Sequence, residues 1–190
     1  MGLYAQRKIF PLTASAQTAP TVHDYALLAQ TLFDSMKKHP PLKELFLEYG
    51  ITGACFCMAS QFGTSLYEFQ VGIAGHGTNL ATDQGIANEA SRRTADTCSF
   101  DSRETRNPTL QRFAGAIRGR DHIISCRMVA IRPDSTQQEV AIEDLSEIFA
   151  IILGLEIRNK MGTKELIKDH ALGFLSRHSS SLLPLFDPFL

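Results

Sequence analysis

Charge of one sign is what this chain lacks most: 19 basic side chains face 20 acidic ones, leaving a formal charge of -1. Without a global positive field there is nothing to hold a nucleic acid backbone, so nucleic acid is not an expected partner. Long hydrophobic runs are missing too. No segment approaches the roughly 18 consecutive apolar residues that span a bilayer, and the N-terminus carries no signal-peptide apolar core. No membrane association and a cytoplasmic location are therefore expected. Cysteine is scarce, with Cys55, Cys57, Cys98 and Cys126 only. No CxxC pair or paired histidine completes a zinc site, so no metal is expected and the thiols read as buried and free. No phosphate loop or complete catalytic constellation stands out.

What remains is an ordinary globular composition, 44% hydrophobic and 21% charged, over 190 residues, enough for one sizeable core. Residues 1–20 mix Gln, Ala, Thr and two prolines without a period and read as a loosely held arm. From Thr21, Tyr25, Leu28, Leu32 and Met36 recur at helical spacing until His39-Pro40-Pro41 stops the run. Leu42, Leu45, Phe46 and Tyr49 repeat the pattern as far as Gly50, a left-handed C-cap. In ITGACFCMAS (residues 51–60) small and apolar side chains fill both faces, as a strand covered on both sides requires. Cys55 and Cys57 project from one face of it, unsuited to a mutual disulfide. Gly63-Thr64-Ser65 reads as a hairpin turn into a second strand, whose apolar face is Tyr67, Phe69, Val71 and Ile73.

After the loop GIAGHGTN, Thr82-Asp83 reads as the cap of a helix through Ile86, Ala90 and Ala95. Its alanines allow close approach, while Arg92 and Arg93 reach solvent. Residues 97–108 are polar and read as an irregular loop. Leu110, Phe113, Ala114 and Ile117 fit a helix by local pattern, over residues 108–118. His122 to Arg132, rich in Ile, Val and Met, is the best strand in the chain. Thr136-Gln137-Gln138-Glu139 has capping-box form and opens a long helix. Within it IFAIILGLEI is apolar nearly all round, implying burial in the core or in a dimer seam. Gly162 ends that helix. A last helix is expected from Thr163 to about His178, and the apolar tail SSSLLPLFDPFL then needs a partner surface or a groove on its own domain.

The second half resembles the GAF domain family, small-molecule sensory modules of signalling proteins. FAGAIRGRDHIISCRMVAI is similar to the family's aromatic-rich hairpin, with Ile117 where a proline is usual and Ser125 where a glycine is usual. EVAIEDLSEIFAIILGLEIR resembles its long C-terminal helix, and ADTCSFDSRETRNPTL the linker before the hairpin. The resemblance covers about residues 25–160. It shows neither the signature of cyclic-nucleotide binders nor the bilin-attachment context of phytochromes. It implies an α+β fold, an antiparallel sheet flanked by helices in a GAF/PAS-like three-layer arrangement. The domain would span residues 21–161, followed by a C-terminal helix and apolar tail over 162–190. It also implies that Phe113 to Ile117 is a strand, overriding the local helical pattern. Helices would cover one face of the sheet, and a ligand cavity would lie beneath loops on the other.

The ligand-binding residues implied are Phe69, His76, Thr78, Asn79, Asn88, Asp96, Cys98, Arg103 and Phe113. Gly72, Gly75 and Gly77 with Thr78 before a helix can present amides to an anion, or simply connect two elements. Arg103 and Arg106, beside Asp101 and Glu104, can grip a carboxylate or form a solvated ion-pair cluster. His76, His170 and His178 read as solvated histidines. A competing reading is a thiol hydrolase or deamidase with Cys55 as nucleophile, His122 as base and Asp144 as orienting acid. A third is a ligand-free module associating through its helices. The expected function is a regulatory module binding an unidentified small molecule, with no cofactor named. It would be a homodimer through Val140–Lys160 and the following helix, and the tail offers a protein-partner surface. With no output domain following, the chain is expected to act through a partner, to be part of something longer, or to have lost a signalling role.

Overall fold

The first helix is fixed by its N-terminus: Thr21 accepts from the Asp24 amide while the Asp24 carboxylate accepts from the Thr21 amide at 2.7 Å, a reciprocal capping box. This helix, α1 (Val22–Lys38), ends at His39, and the prolines that stop it start α2 (Pro40–Glu48). Gly50, at φ 61°, then turns the chain into the first strand, as its position predicts. The computed structural model describes residues 20–72, 80–98, 114–119, 122–130, 136–161 and 182–189. The arm before residue 20 and the helix expected over 163–178 lie outside them.

Strands β1 (Ile51–Ser60) and β2 (Ser65–Gly72) form the expected antiparallel hairpin. Helix α3 (Leu80–Asp96) follows, then β3 (Gly115–Arg118), β4 (His122–Ala130), α4 (Thr136–Met161) and a 3-10 helix, Leu183–Phe189. The described strands make one antiparallel sheet in the order β2-β1-β4-β3. The architecture is therefore α+β, a sheet flanked by helices.

Residues 115–118 are strand, so the helical pattern read locally over 108–118 fails there. Tertiary pairing decides it: Gly115 lies opposite Cys126 on β4, and a Cβ at residue 115 would overlap the Glu147 backbone of α4. Only a glycine lets helix and strand approach so closely.

Alternation along β1 and β4 divides the core. Ala54, Phe56, Met58, Ile124, Cys126 and Met128 face α1, α2 and α4 in the larger cluster, where Phe56 meets Phe69 and Phe149 at ring-centroid distances of 5.1 and 5.2 Å. Cys57, Ala59, Ala116 and Ile123 face α3 in the smaller one. Helices thus cover both faces, where the resemblance implied helices on one; the loops implied over the other face lie largely outside the described residues. The reason is the alanine content of α3: Ala87 and Ala95 are buried and bring the helix down on the sheet.

The sequence left core and dimer seam open for IFAIILG; Ile148 to Leu153 are wholly buried within the single chain. The tail likewise finds a place on its own domain. Phe186 is buried in the larger cluster, and Phe189 packs edge-on to His39.

Candidate functional site

The implied ligand cavity would involve α3, and among the described residues side chains link that helix closely to the sheet. Ser125 of β4 donates to the Ala87 carbonyl (2.7 Å) and accepts from Ser91 (2.7 Å), tying sheet to helix. Gln84 donates to the Phe56 carbonyl (2.8 Å) and to Asn88 (3.1 Å), and Asn88 donates to Glu68 (2.9 Å), which also accepts from Ser65. Arg118 reaches Gln61 and the Thr94 carbonyl (2.7 Å), closing the C-terminal end of α3.

Beside these contacts lies a buried ion cluster that the sequence did not announce. Arg127 pairs with both oxygens of Glu139 (2.8 and 3.1 Å) and with Asp83 (3.4 Å), all three side chains out of solvent. The Gly115–Cys126 pair is where β3 stops pairing with β4, so the guanidinium one residue further on meets the first turn of α4 at the sheet edge. One expectation changes accordingly and another gains a second role. The Glu139 carboxylate, expected to reach back to Thr136, also grips Arg127. Helix α3 begins at Leu80, so Thr82-Asp83 is not its cap and Asp83 belongs to the ion cluster. The available signal was one arginine in the middle of an otherwise apolar strand, since a buried charge demands partners.

Most residues of the thiol reading are kept apart. Cys55 lies opposite Arg127 whereas His122 lies opposite Ser60, five positions along the strand (55 to 60), or about 17 Å at 3.4 Å per residue. Asp144 sits inside α4, on the other side of the sheet from the α3-facing Cys55. Burial pushes the Cys55 thiol up to about 12, with Asp83 adding to the rise and Arg127 opposing it. Burial likewise raises Cys57 and, well above the usual range, Cys126. These are protonated thiols at neutral pH, poor nucleophiles. Cys98 breaks the buried expectation: it is exposed, just past α3, with φ 53°.

Of the implied ligand set, the described members Phe69, Asn88, Asp96 and Cys98 are not brought together on one face. Phe69 is stacked in the larger cluster, on the opposite face of the sheet from Asn88. Asp96 is exposed at the far end of α3, paired with Arg92 at 3.0 Å. Arg93, expected in solvent, is half-buried and held by Glu89. His76, Thr78, Asn79, Arg103 and Phe113 lie outside the described residues, as do Arg106, His170 and His178.

An open groove exists elsewhere, between α1, α4 and the 3-10 helix. Its volume is about 350 Å³, and Leu28, Thr31, Leu32, Ser35, Glu156, Lys160, Pro188 and Phe189 line it. That size is at the lower end of small-molecule sites. The sequence pattern supplied its floor, since Leu28 and Leu32 are core-stripe positions of α1. It could not supply the third wall, which depends on the tail folding back. No helix among the described residues is long and apolar enough to cross a membrane, and no group of three His, Cys, Asp or Glu among them could hold a metal ion. Comparison with protein-family models, curated proteins and solved structures finds no match to this chain.

Proposed function

We propose that this chain is a non-catalytic regulatory module of GAF-like kind, working in the cytoplasm, that binds a small molecule in the groove between α1, α4 and the 3-10 helix. The observation that carries this reading is the groove itself, set against the close packing of described side chains under α3. Occupancy would act on the end of α4 and on Leu183–Phe189, because Glu156, Lys160, Pro188 and Phe189 are both groove wall and parts of those elements. A ligand that favours one arrangement of these elements shifts their population and can bias a homodimer or a partner. With Ile148 to Leu153 buried, association through α4 would use what it leaves accessible, such as Asn159 and Lys160.

Native mass spectrometry of the purified protein, followed by denaturing extraction, tests the reading. A small molecule carried at fixed stoichiometry, and lost when Ser35→Phe fills the groove, is the expected result. A molecule retained equally by Ser35→Phe would remove the groove from the account. A second reading, a ligand-free interaction module, is favoured by the β1–β2 hairpin, where Phe62 is 90% and Leu66 45% exposed. An apo dimer that Phe62→Ser converts to monomer would establish it instead.

A further inference from the structure

We infer that the open edge of β2 is a self-association surface, on which β2 of a second copy pairs antiparallel to make one continuous sheet. This surface shares no residue with the groove, so the inference goes beyond the ligand reading and stands or falls separately. β2 is the outer strand of the described sheet and pairs with β1 alone. Two amides fix the direction of its main-chain groups. Gly72 turns its N–H away from β1 to Gln30 Oε1 of α1 (2.9 Å), and Met128 of β4 turns its N–H away from β1 to Ser146 (2.9 Å). In an antiparallel ladder a residue's N–H and C=O point to one side, and the side alternates along the strand. Tyr67, Phe69 and Val71 therefore direct theirs to β1, while Glu68 and Gln70 direct theirs outward. Both are exposed, and among the described residues no other main chain bonds to them.

Edge strands are commonly blunted by lysine or proline, and SLYEFQVG has neither. Its one charge, Glu68, is drawn toward α3 by Asn88 and toward Ser65, both at 2.9 Å and both on Oε1. The open stretch is bounded by the register shift opposite Met58 and Ala59 at one end and by the Gly72 amide, held by Gln30, at the other. What selects a second copy is self-complementarity within this stretch. A twofold axis at Phe69 sets Glu68 opposite Gln70 of the second copy, and Gln70 opposite its Glu68. Each pair exchanges both outward main-chain hydrogen bonds, and Glu68 Oε2 can accept from the facing Gln70 amide group. An axis at Glu68 would instead oppose two carboxylates, which is destabilising. Ala26, one turn before Gln30 on the same side of α1, is small and leaves room beside the edge. A ladder this short makes a reversible dimer, not an obligate one.

Sedimentation equilibrium of the full chain, with amide hydrogen exchange read residue by residue by NMR, tests the inference. A concentration-dependent dimer is expected, in which the Glu68 and Gln70 amides gain protection on dimerisation and the Phe69 amide, bonded to β1, does not change. Gln70→Pro removes an outward donor that the single chain does not use, and should give a folded monomer. Gln70→Glu should weaken the dimer about fivefold by opposing carboxylates twice, and Gln70→Lys should tighten it by a similar factor. These two keep the test decisive if the proline variant fails to fold. A monomer at NMR concentrations would overturn the inference. So would a dimer whose Glu68 and Gln70 amides exchange as in the monomer, or one that Glu and Lys at residue 70 affect alike. None of these outcomes bears on the groove, which Ser35→Phe tests.

Discussion

On one face of the sheet, Phe33, Phe56, Phe69 and Phe149 meet in an aromatic cluster surrounded by the aliphatic side chains of α1, α2 and α4. On the other, α3 rests on alanines, two hydrogen-bonded serines, a glutamine and an arginine held between two carboxylates. The first face is closed by non-directional burial, which tolerates exchange of one apolar side chain for another. The second is closed by directional contacts, each of which leaves a stranded partner when cut. The chain has used its polar chemistry under α3 to fasten a helix, and the groove described among these residues lies on the opposite side of the sheet.

That contrast is most sharply broken at Arg127. Arg127→Met leaves Asp83 and Glu139 buried without their cation and should cost about 3–5 kcal/mol in urea unfolding. Leu145→Met on the apolar face should cost less than about 1.5 kcal/mol. Replacing Asp83, Arg127 and Glu139 together by apolar residues should recover most of the loss, because the desolvation of all three charges disappears with them. Gly115→Ala comes next. The added methyl overlaps the Glu147 backbone, and repositioning α4 should cost up to about 3 kcal/mol, read as a lower Tm.

Ser125→Ala should cost about 1–3 kcal/mol by leaving the buried Ser91 hydroxyl without its acceptor and taking from the Ala87 carbonyl the donor it has beyond its helix bond. Smallest is an effect outside both faces. Hydrogen bonds from the Thr21 amide and hydroxyl hold the Asp24 carboxyl below its ordinary value. A carboxylate lowered on folding stabilises above its unfolded pKa, about 3.9, and the gain is lost as pH falls through the lower folded value. Asp24→Asn should therefore flatten the acid limb of the helicity–pH curve and slightly lower helicity at neutral pH, where the carboxylate's gain is fully present.

Local signals made much of the scaffold legible. The prolines at 40 and 41, Gly50, the alternation along β2 and the unbroken apolar run of β1 each act within a few residues, so the corresponding elements could be read directly. Residues 115–118 could not be read from local spacing, since the helical spacing of Phe113, Ala114 and Ile117 is overruled by pairing with β4; only the family resemblance pointed to a strand there. The Arg127 cluster was illegible for a related reason. Asp83 lies 44 residues from Arg127 and Glu139 12 residues, with no periodicity linking them. The groove depended on the same kind of long-range event, the return of Pro188 and Phe189 to α1.

The central claim is that the described residues of the α3 face pack closely enough to bury Cys55 and Cys57 as structural thiols. Timed thiol modification under native conditions, with each cysteine identified by mass spectrometry, tests it most directly. One fast site, Cys98, is predicted, with Cys55, Cys57 and Cys126 reacting only on unfolding in denaturant. Rapid native modification of Cys55 or Cys57 would contradict the account, showing an accessible, activated thiol beneath α3 and restoring that face as a site for chemistry.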